Sequence, residues 1–111
     1  MESLSFKVTG ATAGQLPELL ADVLGVTALV KHGDVTVLCQ EKYYWRIDSN
    51  LMSTVVLSMI EENTCFVDIV TGGGKKGIWS ISFGAEKKNT SMVAAVLDTV
   101  CQKLELRVTP S

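Results

Sequence analysis

Two lysines followed by three helix-capping residues form the segment of this sequence whose residue types could bind an anion. Lys87 and Lys88 come directly before Asn89, Thr90 and Ser91, and such polar side chains are favoured at the start of a helix. The first turn of a helix has unpaired N–H groups and the positive end of the helix dipole, both of which attract anions. The sequence therefore predicts that these five residues bind phosphate, sulfate or a ligand carboxylate. The alternative is two solvated lysines beside an ordinary helix cap.

The run Gly72-Gly73-Gly74-Lys75-Lys76-Gly77 is only superficially like a phosphate-binding loop. That motif needs a Ser or Thr directly after the lysine and a helix after the loop. Here Gly77 follows the lysines, and the residues after it alternate as in a strand. We therefore predict a hairpin turn, in which glycine supplies a backbone conformation that other residues rarely adopt.

One histidine and three cysteines are the remaining candidates for catalysis or metal binding. His32 lies in a predicted turn with Asp34 as its sole acidic neighbour in sequence, whereas a general base needs a partner and a pocket. Cys39, Cys65 and Cys101 include no C-x-x-C pair, so they indicate neither a disulfide framework nor a zinc site. The sequence therefore names no catalytic residue, no metal ligand and no cofactor, and it predicts buried, reduced thiols.

The charge balance argues against a nucleic-acid partner. Ten basic and twelve acidic residues give a net charge of −2, so nothing draws the whole chain to a polyanion. The run Tyr43-Tyr44-Trp45-Arg46 has the residue types of a base-stacking platform, but such a platform needs a broad positive surround. Lys75-Lys76 and Lys87-Lys88 flank the strand predicted over residues 78–83 and are separated by roughly 20 Å, so they do not form one patch.

The sequence also predicts a cytoplasmic protein with no membrane partner. No stretch reaches the ~18 uninterrupted apolar residues that a membrane span needs. The segment Met1–Lys7 lacks the basic start and apolar run of a signal peptide. The length of 111 residues fits a single domain over residues 1–111.

Periodicity defines the elements of the first part of the chain. Apolar residues at every second position predict a strand over residues 2–9. Helical spacing then predicts a helix that begins near Gly14 or Gln15, with Pro17 in its first turn and Gly25 at its end.

A predicted hairpin follows, with strands over 26–31 and 35–40 around the turn His32-Gly33-Asp34. Extended structure is expected to continue to about Ile47 after a kink at Glu41-Lys42.

Residues 51–60 fit either a helix or a strand. Leu51, Met52, Val55, Val56, Met59 and Ile60 match helical spacing, and Val55, Leu57 and Met59 match one face of a strand. We predict a strand, because the run 54–56 is β-branched and Glu61-Glu62 would lie at the unfavourable end of a helix dipole.

Two further strands are predicted around the glycine run, over 65–70 and 78–83. One register pairs Ile69 with Trp79, Val67 with Ile81 and Cys65 with Phe83. It leaves Asp68 beside serines, whereas the other register places this carboxylate among apolar side chains, which is costly if it is unpaired.

The last predicted elements are a helix over 89–104 and a short strand over 106–108. The whole order predicts an α+β fold, a curved antiparallel sheet of five to six strands with two helices on one face. This strand-helix-strands-helix order is similar to the helix-grip arrangement, which hosts unrelated functions.

The glycine run and the later segment Phe83-Gly84-Ala85-Glu86 resemble a family of small bacterial proteins without an assigned function. The resemblance covers about the last half of the chain. It implies the hairpin and the C-terminal helix, and it transfers no catalytic or binding residue.

Two hypotheses for function follow from these elements. The first is a non-catalytic domain that acts through protein–protein contacts, most simply as a homodimer. It rests on apolar positions that a two-helix layer leaves uncovered: Tyr43, Trp45, Ile47, Val70 and Ile78. The second is binding of an apolar small molecule between the sheet and the C-terminal helix. Its candidate lining residues, which otherwise belong to the core, are Met59, Phe66, Trp79, Phe83 and Met92.

Overall fold

The computed structural model describes residues 2–44, 49–73 and 79–111, with side chains over 2–41, 51–72 and 87–111. These residues form six strands and two α-helices, which confirms the predicted α+β class. The elements, in chain order, are β1 (Glu2–Thr9), a 3-10 turn (Ala13–Gln15), α1 (Leu16–Leu24), β2 (Ala28–His32), β3 (Val35–Tyr44), β4 (Ser49–Glu61), β5 (Thr64–Gly73), α2 (Trp79–Lys103) and β6 (Arg107–Pro110).

All six strands belong to one open sheet in the order β2-β3-β4-β5-β1-β6. Each neighbouring pair is antiparallel. Strands β2 to β5 form a meander, and β1 lies between β5 and β6, at the other side of the sheet from β2. The predicted strand over residues 51–60 is confirmed as β4.

One face of the sheet packs against both helices. On β4, Val55 and Leu57 are buried, and their partners on β5, Ile69 and Val67, have no exposed surface. The same cluster includes Leu16 and Leu20 from α1 and Val93, Leu97 and Val100 from α2. Helices and sheet therefore share a single core on one side, as predicted.

The first helix, α1, ends at a glycine in the left-handed conformation. Gly25 caps α1 with a left-handed φ of 66°, and its N–H donates to the carbonyl oxygen of Ala21. Pro17 lies in the first turn, where a missing N–H costs little. The helix begins at Leu16, just after the predicted start.

The predicted hairpin around the glycine run is wrong. Residues from Trp79 onward form α2 instead of a strand, so the pairing of Ile69 with Trp79 does not exist. Ile69 pairs with Val55 on β4 and with Leu4 on β1. Both edges of β5 are thus occupied by other strands, which leaves no place for a hairpin partner. Residues 74–78, most of the predicted turn, lie outside the described residues.

The kink predicted at Glu41-Lys42 is also wrong, since β3 pairs with β4 without a register shift from Val35 to Tyr44. Trp45 and Ile47 lie outside the described residues. A short final strand is present as β6, which pairs with β1.

Removing a buried side chain of α1 is expected to destabilise the fold far more than removing an exposed one. Leu20 is fully buried and Val23 is 51% exposed on the same helix. Leu20→Ala should lower the free energy of unfolding by about 2–5 kcal/mol, measured by urea denaturation. Val23→Ala, the matched control, should change it by less than about 0.5 kcal/mol. Equal losses for the two variants would contradict the placement of α1.

Candidate functional site

The sheet face opposite the helices carries an apolar patch, which we call the open face. Its apolar members are alternate residues of β2 to β5: Val30, Val35, Val37, Cys39, Met52, Val56, Phe66 and Val70. The polar residues Thr54, Ser58 and Asp68 lie among them on β4 and β5. None of these residues is fully buried, and Val30 and Met52 are 49% and 47% exposed. The pairing of Val30 with Val37 and of Val37 with Val56 makes a continuous apolar row across three strands.

Polar residues of β1 and β6 bound this patch on one side. Ser5 lies beside Asp68 in the sheet, and its hydroxyl donates a hydrogen bond of 2.6 Å to the Asp68 carboxylate. Lys7 pairs with Thr109 further out. An antiparallel sheet with one face in water usually carries polar side chains on that face. The polar residues of β1 and β6 follow this rule, whereas the apolar patch departs from it.

Phe66 and Val70 show how the alternation of β5 produces both faces. Val67 and Ile69, in between, are buried in the core, so their neighbours point to the other side. Of the positions predicted to be uncovered, Val70 lies on the open face. The side chains of Tyr43, Trp45, Ile47 and Ile78 are outside the described residues.

The three cysteines are free thiols that differ in their surroundings. Burial raises the pKa of Cys65 to about 11, against a smaller lowering by a backbone hydrogen bond from Ser58. Burial, with smaller contributions from Asp98 and Cys65, raises the pKa of Cys101 to about 11. Cys39, by contrast, is partly exposed on the open face, so only two of the three thiols are buried as predicted.

A cleft lies on the helix side of the sheet, between the start of α1 and the β2–β3 turn. It has a volume of about 200 Å³, and its lining includes Pro17, Glu18, Leu29, Lys31 and Met59. The β2–β3 turn is tied to β4 there, because the Met59 N–H donates to the carbonyl oxygen of Asp34 at 2.9 Å. A shallower groove, lined in part by Ile60, Glu61 and Glu62, adjoins it and shares Gly14, Asp34 and Met59.

The predicted anion-binding segment does not lie at a helix start. Lys87, Lys88, Asn89, Thr90 and Ser91 are inside α2, which begins at Trp79. In a helix interior the backbone N–H groups bond to carbonyls of the preceding turn, so the premise of this site is wrong. Lys87, Lys88 and Ser91 are exposed, whereas Asn89 and Thr90 are buried.

Asn89 instead joins a buried polar cluster between α2 and the sheet. Its side-chain amide donates to the hydroxyl of Ser53, and the hydroxyls of Ser53 and Thr71 are 2.7 Å apart. All three residues have no exposed surface. Sequence reasoning missed this cluster, although Ser53 stands where the alternation of β4 requires a core-facing residue.

The five predicted pocket residues do not surround one cavity. Met59 packs partly against the core and lines the cleft by α1, while Phe66 belongs to the open face on the other side of the sheet. Met92 is 37% exposed on α2. Trp79 and Phe83 lie in α2, and their side chains are outside the described residues.

Comparisons of the chain with protein-family models, curated proteins and solved structures found no match. The resemblance to a bacterial family therefore stays a hypothesis, and the hairpin that it implies is wrong. Within the described residues, no three His, Cys, Asp or Glu side chains are grouped to hold a metal ion. Neither described helix combines the length and apolar character that crossing a membrane requires.

Loss of the buried amide of Asn89 is expected to destabilise the protein. Asn89→Ala removes the amide that donates to the buried Ser53 hydroxyl. The loss of this hydrogen bond should lower the free energy of unfolding by about 1–3 kcal/mol. Ser91→Ala on the exposed side of the same helix should cost less than about 0.5 kcal/mol. Thermal or urea unfolding compares the two variants, and equal stability would contradict the buried cluster.

Thiol labelling of dilute native protein should modify Cys39 first. The thiolate is the reactive form, and at pH 8 a thiol with a pKa of about 11 is only about 0.1% ionised. Maleimide treatment followed by peptide mass spectrometry measures each site. Cys65 and Cys101 should react only after unfolding in denaturant, and native labelling of either at the rate of Cys39 would show that its burial is wrong.

Proposed function

We propose that this chain is a non-catalytic cytoplasmic domain that acts through protein–protein contacts, and that it forms a homodimer through the open face. The observation that carries the proposal is the apolar row Val30–Val37–Val56, which no element within the described residues covers. Extended apolar patches on a protein surface mark interaction sites. The three free thiols fit a reducing compartment.

The size of the open face fits a weak contact with a second copy. Strands β3 to β5 overlap over about nine residues, and β2 has five. At about 3.4 Å per residue and 4.8 Å per strand, the four strands span roughly 500 Å² per copy. A face-to-face dimer then buries about 1,000 Å² in total, just below the ~1,200–2,000 Å² of stable specific interfaces and within the range of weak ones. The proposal therefore expects a dimer that dissociates on dilution.

The charges of the open face fit self-association as well. Its apolar centre lies around Val37 and Val56, and the carboxylate beside it, that of Asp68 opposite Val56, accepts the hydrogen bond from Ser5. A two-fold axis near the centre places apolar side chains against apolar side chains and leaves the polar residues of β1 and β6 at the rim. This is the usual arrangement of a homodimer interface.

Binding of an apolar small molecule between sheet and α2 is the less favoured alternative. In the described part of that layer the space is filled by buried side chains such as Val67, Ile69, Val93 and Leu97. The described clefts lie beside α1 instead. The cleft of about 200 Å³ is smaller than the ~300–1,000 Å³ typical of ligand pockets. The adjoining groove of about 450 Å³ is lined by three carboxylates, Asp34, Glu61 and Glu62, which do not suit an apolar ligand.

A charge at the centre of the open face should separate the dimer into monomers. Sedimentation velocity over roughly 1–200 µM should show the wild-type chain shift from monomer to dimer, as expected for micromolar affinity. Val56→Lys should stay monomeric because burying its ammonium group, even beside the Asp68 carboxylate opposite it on β5, costs more in desolvation than the ion pair returns. Thr109→Lys adds the same charge on exposed β6, outside the patch, and should dimerise like the wild type.

Labelling of Cys39 gives a second measurement on the same samples. Its rate should fall as the wild-type concentration rises and should stay constant in Val56→Lys. Circular dichroism checks that Val56→Lys is folded, and Val56→Thr offers a milder change if it is not. A wild-type monomer at all concentrations would remove the proposal.

A further inference from the structure

We propose that the edge strand β2 and the adjoining cleft bind an extended segment of a partner protein in which lysine or arginine alternates with apolar residues. The segment would add to the sheet as a strand beside β2. This binding surface goes beyond the proposed dimer, because it uses the edge of the sheet and its helix side.

The backbone of β2 provides free hydrogen-bonding groups. β2 is the first strand in the sheet order, so β3 is its one partner among the described strands. The turn has two residues, and His32 and Val35 are the hydrogen-bonded pair that flanks it. Because hydrogen-bonded pairs alternate along an antiparallel ladder, Leu29 and Lys31 direct their N–H and C=O groups away from β3.

The two edges of the sheet differ in how well they are protected. β6 has only four residues and includes Pro110, which has no N–H to donate. β2 has no proline, every residue in it is exposed, and Leu29 and Val30 are each 49% exposed. An exposed apolar edge strand is a template for pairing with another chain, and β2 is the edge that is left open.

The same residues that offer free backbone groups also line the cleft. Leu29 pairs with the buried Leu38, so its side chain is on the helix side, and so is that of Lys31 two residues later. Both line the cleft, together with Pro17 and Met59. Every second side chain of an added strand would therefore face the mouth of this cleft.

The charge of the cleft determines which kind of partner segment fits beside β2. The cleft carries Glu18 and Asp34, and the adjoining groove adds Glu61 and Glu62. Lys31 is the one cation among these lining residues, so carboxylates outnumber ammonium groups by four to one. Basic side chains on the cleft side complement this charge, while apolar side chains on the other side extend the open face beyond Val30.

The test uses a short capped peptide in which lysine and valine alternate, added to the full chain at low salt. Amide hydrogen exchange measured by NMR should show new protection at Leu29 and Lys31, the two free N–H groups. A peptide with glutamate in place of lysine should bind at least about tenfold more weakly, because it meets like charge. A peptide that is N-methylated along its pairing edge should not protect these amides.

Two protein variants separate the charge of the cleft from the total charge. Glu18→Gln with Asp34→Asn should weaken binding of the lysine peptide by about tenfold. Glu2→Gln with Glu41→Gln removes the same charge at the other end of the sheet, near the start of β1 and the end of β3, and should change the affinity by less than about twofold. The monomeric Val56→Lys variant should bind the peptide like the wild type, so failure of the dimer proposal would be seen separately.

Three outcomes would overturn the inference. One is the absence of protection at Leu29 and Lys31 with millimolar peptide, and another is equal binding of the lysine and glutamate peptides. The third is concentration-dependent protection of both amides without peptide, which would mean that β2 of a second copy occupies the edge.

Discussion

The fold depends on the fact that its two helices lie on the same side of the sheet. Val55, Leu57, Val67 and Ile69 form the sheet side of the core, and Leu20 and Leu97 close it from the helices. Because side chains alternate along each strand, burying this set directs Val37, Val56, Phe66 and Val70 to the other side. Those residues are β-branched or aromatic and suit a strand, but within the described residues no second layer covers them. The core and the open face are therefore two results of one arrangement.

Local patterns in the sequence predicted most of the elements. The alternation in residues 2–9 and 51–60 matches β1 and β4, Gly25 closes α1 with a left-handed φ, and Gly33 turns the β2–β3 hairpin with a φ of 57°. In each case the signal lies within a few residues of the feature. Such signals include strand periodicity and glycine at positive φ, and both act regardless of the remaining fold.

The partners of the strands could not be predicted in the same way. The segment 78–83 alternates, but alternation does not show whether an edge of β5 is free, and β1 occupies the edge that the hairpin needed. Asn89, Thr90 and Ser91 have the residue types of a helix cap, yet α2 starts ten residues earlier and Asn89 bonds to Ser53, 36 positions away. Predicting the apolar open face required knowing that Val37 pairs with Val56. Predicting the cleft required knowing that α1 lies near β2. These features depend on long-range contacts, which propensity does not encode.

The position of β1 between β5 and β6 has a consequence for how the chain folds. The meander from β2 to β5 joins strands that follow one another closely, whereas Glu2 pairs with Thr71 and Phe6 pairs with Pro110. Contacts between distant residues require the closure of long loops, so the meander is expected to form first and β1 to join it late. During synthesis from the N-terminus, β1 is made before β5 and β6, so it can pair only after both of these strands have been made. In that interval β5 presents an open edge to β1 of any neighbouring chain, so refolding at high concentration favours strand-exchanged copies over separate ones.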